Sequence, residues 1–213
     1  MFGELLSHPG VVEAVELRST FGFMAFHGGL EGGTETVAAR AAAASGASLY
    51  TVVQPPDLVW HVPSSRIDPA QSEHLARFLA HVEVVVAIHG YGRAGRPHDV
   101  LLGGTNRSLA AELAASLRSS SPRFAMIDDL DAIPPELRGL HPSNPVNRPA
   151  AGGVQVELPP RARGSSPDPR HRGQPCTPAV GVVAGLARVA SCWAPERHAR
   201  RGQSSSKVPP ARQ

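Results

Sequence analysis

The sequence predicts an α/β fold on a mostly parallel sheet, because strand-like and helix-like segments alternate from about residue 20 onward. Their spacing suits helices that cross over between parallel strands. The clearest strand, EVVVAIHG at 83–90, contains the continuous apolar run VVVAI, which is typical of a strand covered on both faces. With 213 residues and 41% hydrophobic side chains, the chain is long enough for one sizeable core.

The first strand and helix each have a local signal. FGFMAF at 21–26 reads as a buried strand that ends at His27. TETVAARAAAAS at 34–45 is rich in helix formers. Thr34 is predicted to cap this helix and Gly46 to end it. The opening 20 residues are mixed and suit a short helix or a strand.

The next elements continue the alternation. SLYTVVQ at 48–54 is predicted to be a strand. DPAQSEHLARFLAHV at 68–82 is predicted to be one helix, because Asp68 suits the N-cap and Pro69 the first helical position. The later predicted strands are 99–104, 123–128 and 153–159, and the later predicted helices are 106–120 and 177–193.

Composition changes after residue 140, where Pro, Gly and Arg accumulate. We predict one domain over residues 1–195, a long Pro/Gly-rich active-site loop at about 131–153, and a disordered basic tail at 196–213. The formal net charge is only +3. A basic tail binds polyanions weakly through counterion release, but a solvated tail is the commoner meaning of such a composition. Nucleic-acid binding is therefore not favoured.

Cysteine usage and hydropathy narrow the class of protein further. Cys176 and Cys192 form no CxxC motif and lie next to no histidine, which argues against a disulfide framework and a thiolate metal site. The chain opens with no signal-peptide pattern, and no apolar run approaches the roughly 20 residues that span a bilayer. We expect a soluble cytoplasmic protein with no membrane partner.

Polar residues follow the two strongest strands at the points where those strands end. His27 and His89 each terminate a strand, Glu31 follows His27 by one turn, and Glu157 lies in a late strand. In parallel sheets such strand ends converge where ligands bind. Two histidines and a carboxylate match a catalytic zinc site, and a separate carboxylate can serve as general base.

Each of these residues also has an ordinary interpretation. A His–Glu pair at this spacing is commonly a surface pair, a strand-terminal histidine is commonly a loop anchor, and Glu157 near a prolyl turn is commonly solvated. A phosphate-binding loop is disfavoured, because HGGLEGGTE has neither the Walker A lysine nor G-x-G-x-x-G spacing. The glycines suit a tight turn as well as a site that substrate approaches closely.

Four ordered motifs resemble those of the poly-γ-glutamate hydrolase family. They are AFHGGLEGGTETVA, VVVAIHGYG, DVLLGGTNRSLAAELAASL and NPVNRPAAGGVQVELPPRAR, and they span about residues 20–165. Members of that family are zinc peptidases related to carboxypeptidase A, with a three-layer α/β/α sandwich. The resemblance implies that His27, Glu31 and His89 hold one zinc ion and that Glu157 is the catalytic carboxylate.

The resemblance also implies an anionic, peptide-like substrate such as a γ-glutamyl polymer. Guanidinium groups match carboxylates bidentately, so Arg148, Arg107 and Arg161 are the candidate substrate-binding residues, in that order. The alternative for each arginine is a structural role, capping loop carbonyls or pairing with Asp128 or Asp129.

The sequence departs from the family at the first motif, where HGGLE is one residue shorter than the usual HGGGIE. The shorter turn can shift Glu31, and Glu35 is then a fallback carboxylate. Two other functions stay open: an aspartoacylase-like deacylase of a small N-acyl amino acid, and a non-catalytic protein that binds anionic ligands. The ligand types also suit cobalt, nickel or manganese.

Overall fold

The fold is described from a computed structural model, which covers residues 1–166, 168–171 and 173–193. The predicted tail at 196–213 lies outside the described residues. The strands are β1 Val12–Glu16, β2 Ser19–Gly28, β3 Ala47–Val53, β4 Val84–Gly90, β5 Asp99–Leu102, β6 Ala125–Ile127 and β7 Gly153–Leu158. The α-helices are α1 Phe2–Leu6, α2 Thr34–Ser45, α3 Glu73–His81, α4 Arg107–Ser120, α5 Pro160–Arg163 and α6 Val180–Ser191.

The seven strands form one mixed sheet in the order β1-β3-β2-β4-β7-β5-β6. Its central strands β3, β2, β4 and β7 are all parallel. Strand β1 is antiparallel to β3, β5 is antiparallel to β7, and β6 is parallel to β5. The prediction of a mostly parallel mixed sheet is confirmed.

The sheet is covered on both faces, which gives three layers. Helices α2, α4 and α6 pack on one face, over a cluster that includes Phe23, Val86 and Val156. Helices α1 and α3 pack with Val62 and Ile67 on the other face. All six residues of β7 are buried: Val154, Val156 and Leu158 enter the apolar cluster under α2, α4 and α6, and Gln155 and Glu157 alternate with them on the other face in buried polar contacts.

The helix predicted at 68–82 is in fact two pieces. Asp68 caps a single 3₁₀ turn, Pro69–Gln71, by accepting from the amide of Ala70. Ser72 is extended, and its hydroxyl accepts from the amide of Leu75, so α3 begins after it. A serine that can cap a helix competes with helix continuation, and here the capping geometry prevails.

Two other local predictions have opposite outcomes. Gly46 ends α2 in the left-handed conformation, as predicted. Thr34 is not the N-cap, since the helix begins at Thr34 itself and Gly33 occupies the cap position.

The long loop at 131–153 contains the 3₁₀ turns Pro135–Leu137 and Pro145–Asn147. In the part of the chain that the structure describes, no helix is long and apolar enough to span a bilayer.

Candidate active site

Three neighbouring parallel strands bring the predicted residues to one edge of the sheet. His27 lies near the end of β2 and His89 near the end of β4. Glu157 is the register partner of His89 on β7. Register partners on adjacent strands lie roughly 4.8 Å apart in the backbone and point to the same face. The sequence-based expectation that these strand ends converge is therefore met.

An irregularity in β2 turns His27 toward this edge. Three residue steps separate Ala25 and Gly28 on β2, whereas their β3 partners are two steps apart, which places one extra residue in β2. In a regular strand consecutive side chains point to opposite faces. Here the rings of both Phe26 and His27 approach that of His89, with centroids at 4.8 Å and 5.1 Å. The bulge thus re-aims one side chain, as bulges near active sites commonly do.

Glu31 lies between the two histidines. Its Oε1 is 2.9 Å from His27 Nδ1, and its Oε2 is 3.5 Å from His89 Nδ1. One ligand atom from each of the three residues lies within 4.8 Å of the other two. Ligand atoms of a tetrahedral zinc site, each about 2.0 Å from the metal, lie roughly 3.3 Å apart. The three side chains therefore fit a small metal ion.

The shortened glycine-rich turn still closes on His27. The amide of Glu31 donates to the carbonyl of His27 at 2.8 Å, which completes a single helical turn. Gly29 has a φ of +75°, and a Cβ there would lie 2.1 Å from the carbonyl oxygen of Gln54. Only glycine tolerates both the positive φ and the close approach of the Gln54 carbonyl. The amide of Gly90 then donates to Glu31 Oε2 at 2.8 Å and fixes the carboxylate.

The hydrogen bonds of His27 determine which nitrogen faces Glu31. His27 Nε2 lies 2.8 Å from the carbonyl oxygen of Val62, which can only accept, so Nε2 carries a hydrogen. In the neutral ring Nδ1 is then a bare acceptor that faces Glu31 Oε1 at 2.9 Å. Two lone pairs at this distance repel each other. The arrangement needs either a second proton on His27 or a cation that both atoms contact.

The charges of this cluster shift the pKa values of its members. Burial by itself would raise the pKa of Glu31, but the charges and hydrogen bonds of His27 and His89 hold it well below its usual range. Burial would likewise lower the pKa of His89, but the charge of Glu31 raises it above the ordinary value. The structure therefore favours an ionised Glu31 in contact with positive charge.

Glu157 has a different environment from that of Glu31. Its side chain is 3% exposed, and its Oε1 accepts a hydrogen bond of 2.9 Å from Gln155 Nε2. Burial raises the pKa of Glu157 to about 7, against the opposing charge of His89. Two neighbouring carboxyl groups whose pKa values are driven apart by their surroundings are typical of acid–base catalysis.

The three predicted arginines are distributed around the site unequally. Arg161 is exposed and lines a cavity of about 1180 Å³ that also borders Glu31 and Gly90. Arg148 is exposed and lines a second cavity of about 490 Å³, together with His61. Arg107 lines neither of these two cavities. Its guanidinium donates to the backbone carbonyls of Leu102, Gly104 and Asp128.

Other polar residues near the cluster are His61, Tyr91 and Glu35. The ring of His61 lies 4.8 Å from that of His27, centroid to centroid, on the side of the smaller cavity. The hydroxyl of Tyr91 donates to the carbonyl of Asp99, so this residue anchors the rim of the larger cavity. Glu35 also borders that cavity and accepts from the hydroxyl of Thr36, while Glu31 occupies the position between the histidines.

Sequence reasoning missed Arg163, which is 6% exposed and lines the larger cavity. It lies two residues after Arg161, in the same PPRAR segment, and the sequence alone does not distinguish the two. Gly90, which follows His89 directly, gives no sign of this role in the sequence, because its contact with Arg163 forms only in the folded chain. A Cβ at Gly90 would lie 2.5 Å from Cζ of Arg163.

Comparisons with known proteins agree with this description. A family model described as poly-gamma-glutamate hydrolase matches residues 6–166. Sequence comparison with curated proteins gives no match. The fold is similar to that of a bacteriophage poly-gamma-glutamate hydrolase, with a TM-score of 0.66, 21% identity, and coverage of 92% of this chain and 91% of that one.

Two further solved structures share the fold. A protein described as YndL in a zinc-free form gives a TM-score of 0.65 at 22% identity, covering 91% of each chain. A candidate carboxypeptidase from Burkholderia mallei gives a TM-score of 0.51 at 12% identity, covering 93% of this chain and 66% of that one. Identities this low indicate a common architecture, which is the three-layer α/β fold.

Proposed function

Because this chain belongs to the poly-gamma-glutamate hydrolase family, we propose that it is a zinc-dependent hydrolase of an amide bond in a carboxylate-rich substrate. The proposed substrate class is poly-γ-glutamate or another γ-glutamyl compound. Hydrolysis agrees with the family and with the carboxypeptidase-like architecture. The metal and the general base are inferred from the geometry of the site, and the substrate class is inferred from the family and from the residues that line the larger cavity.

One observation carries the proposal of a metal: the bare Nδ1 of His27 faces a carboxylate oxygen of Glu31 at 2.9 Å. His27 Nε2 is committed to the carbonyl of Val62, which fixes the ring with Nδ1 toward Glu31. Such a backbone partner on the outer nitrogen is the usual support of a metal-binding histidine. His27, Glu31 and His89 would hold the ion, and two nitrogens with one oxygen suit zinc.

Zinc, when bound there, would supply a water of lowered pKa and would polarise the substrate carbonyl. Glu157 is proposed to accept the proton of that water. Gln155 donates a hydrogen bond to Oε1 of Glu157, so Oε2 is the oxygen proposed to accept the proton. A pKa of about 7 allows Glu157 to accept a proton and return it to the leaving amine near neutral pH.

The larger cavity supports a substrate that carries several carboxylates. Its volume of about 1180 Å³ exceeds the roughly 300–1,000 Å³ usual for small-molecule sites. Among the described residues that line it are four arginines, Arg93, Arg96, Arg161 and Arg163, and three carboxylates, Glu31, Glu35 and Asp168. Its size and the excess of arginines over carboxylates among these residues favour a polymeric substrate over the small N-acyl amino acid of an aspartoacylase-like deacylase. Arg161 and Arg148 are proposed to contact substrate, whereas Arg107 is proposed to anchor the loop around it.

The test begins with elemental analysis of the purified protein beside a His89→Ala variant. We expect about one equivalent of zinc in the parent and little in the variant. Release of amines from poly-γ-glutamate is then measured, with Glu157→Gln as the variant that keeps the metal but loses turnover. If neither protein takes up metal after zinc is supplied, the hydrolase mechanism is wrong and anionic-ligand binding without catalysis becomes the better explanation.

A further inference from the structure

Arg163 is a buried arginine whose guanidinium is held beside the candidate metal centre. Nε donates to the carbonyl of Leu158 at 3.1 Å, and Nη1 donates to the carbonyl of Gly32 at 2.6 Å. Leu158 lies 5 residues from Arg163 in sequence, and Gly32 lies 131 residues away. Fixing a guanidinium through two carbonyls sets the plane of the group and removes most of its rotational freedom.

The remaining edge of this guanidinium is free to bind a ligand. Within the described part of the chain, Nη2 has no hydrogen-bond acceptor, and it is not one of the fully buried unpaired atoms. The side chain lines the larger cavity. A fixed guanidinium that lines a cavity and keeps one N–H group without an acceptor is suited to a charge-assisted hydrogen bond with an anion.

Gly90 allows the guanidinium to lie this close to the site. A Cβ at position 90 would be 2.5 Å from Cζ and 2.7 Å from Nε and Nη1 of Arg163. Gly90 directly follows His89, and its amide holds Glu31. Arg163 is therefore packed against the backbone that carries one candidate ligand and fixes another.

Neither of the nearby carboxylates Glu31 and Glu35 forms a hydrogen bond with the free Nη2 of Arg163. Both oxygens of Glu31 are engaged, by His27 and by the amide of Gly90, and Arg163 makes no hydrogen bond to that carboxylate. Glu35 accepts from Gly29 and Thr36. The positive charge of Arg163 thus meets negative charge only through space in the described structure, and an incoming anion would be its first direct partner.

We propose that Arg163 forms a carboxylate subsite in the larger cavity, and that this subsite takes a substrate carboxylate next to the scissile bond. The proposal rests on the proposed function for the substrate class only. The subsite is distinct from Arg161, which is exposed, and from Arg148, which lines the smaller cavity. It would give the enzyme selectivity for a free carboxylate over an amide at that position.

The experiment measures binding, so that it does not depend on turnover. Two short γ-glutamyl oligomers are compared, one with free α-carboxylates and one with these groups converted to carboxamides. Their Kd values are measured by calorimetry on the zinc-supplemented Glu157→Gln protein, with and without Arg163→Gln. A charge-assisted hydrogen bond is lost on this change, so we expect the preference for the carboxylate oligomer to fall by about 10-fold to 100-fold.

Controls separate this effect from misfolding and from general charge. Arg188→Gln removes an exposed arginine that lines neither cavity and should leave the preference unchanged. If Arg163→Gln does not fold, Arg163→Lys replaces it in the experiment. Lysine keeps the positive charge but lacks the planar, forked set of N–H donors, so we expect a smaller loss of the preference for the carboxylate oligomer. The proposal is overturned if the Glu157→Gln protein itself shows no preference for the carboxylate oligomer, or if a folded Arg163 variant retains the whole preference. A failure to hydrolyse the polymer would count against the proposed function alone.

Discussion

Single residues at this site differ in role even where their chemistry is the same. Glu31 and Glu157 are both carboxylates near His89, yet one is held ionised and the other has its pKa raised to about 7. The cause is the surroundings: Glu31 contacts two histidines, whereas Glu157 is buried and accepts one neutral amide hydrogen bond. At the scale of a residue, environment decides which carboxylate can exchange a proton.

The raised pKa of Glu157 gives an expected pH dependence of stability. A carboxyl group whose folded pKa lies above its unfolded value of about 4.5 binds protons more tightly in the folded state. The stabilising contribution of Glu157 to the free energy of unfolding is fully present below pH 4.5 and is lost as the pH rises through 7. In chelator-treated protein, Glu157→Gln should therefore exceed the parent in Tm at pH 8, and the difference should close toward pH 4.5. Parallel Tm curves for the two proteins would contradict this expectation.

Arg148 and Arg107 form a matched pair for a second expectation. Arg107→Gln removes hydrogen bonds to three backbone carbonyls and should cost about 1–3 kcal/mol of unfolding free energy, with little change in KM. Arg148→Gln should raise KM for an anionic substrate several-fold, with little change in Tm, because its side chain is exposed at the smaller cavity. Denaturant unfolding and steady-state kinetics measure both effects. The reverse result would exchange the roles of the two residues.

At the scale of elements, the long loop before β7 is attached to the proposed general base. Asn144 Nδ2 donates to Gln155 Oε1 at 2.8 Å, and Gln155 Nε2 in turn donates to Glu157. All three side chains are buried. The loop that carries Arg148 is thereby coupled to the orientation of the Glu157 carboxylate.

Asn144→Ala should lower kcat by about tenfold, since it frees the amide of Gln155 to rotate away from Glu157. The control is Asn147→Ala in the same loop. The side-chain amide of Asn147 donates hydrogen bonds to the carbonyls of Gly139 and His141 and makes none to Gln155. We expect both variants to lose stability, and only Asn144→Ala to lose kcat at unchanged KM. Equal loss of kcat in both would mean that general loosening of the loop is responsible.

The elements also show what the sequence could and could not predict. Strand ends at His27 and His89 were predictable, because a buried parallel strand needs a continuous apolar run and a polar residue marks its end. The bulge in β2 was not predictable, since FMAFHG has the same apolar pattern with or without an extra residue. Arg163 was also beyond prediction, because its role depends on contacts with Gly32 and Gly90 that only the folded chain brings together.

At the scale of the whole molecule, the candidate metal ligands join two central strands and the turn between β2 and α2. A metal bound there contacts only the folded state and should stabilise it by mass action. At a zinc concentration about 100 times the Kd, the gain is about 2.7 kcal/mol. We expect Tm to rise by several degrees on adding zinc, and not in His89→Ala. An equal rise in both proteins would indicate binding elsewhere.

The contact between Gly90 and Arg163 has a consequence for how the family diverges. Any side chain at position 90 would occupy the space of the guanidinium, so these two positions constrain each other across 73 residues of sequence. In an alignment of relatives, glycine should persist at position 90 wherever arginine persists at 163. Alanine or serine should appear there only together with a smaller residue at 163. Independent variation of positions 90 and 163 would show that this contact does not constrain which residues the family accepts there.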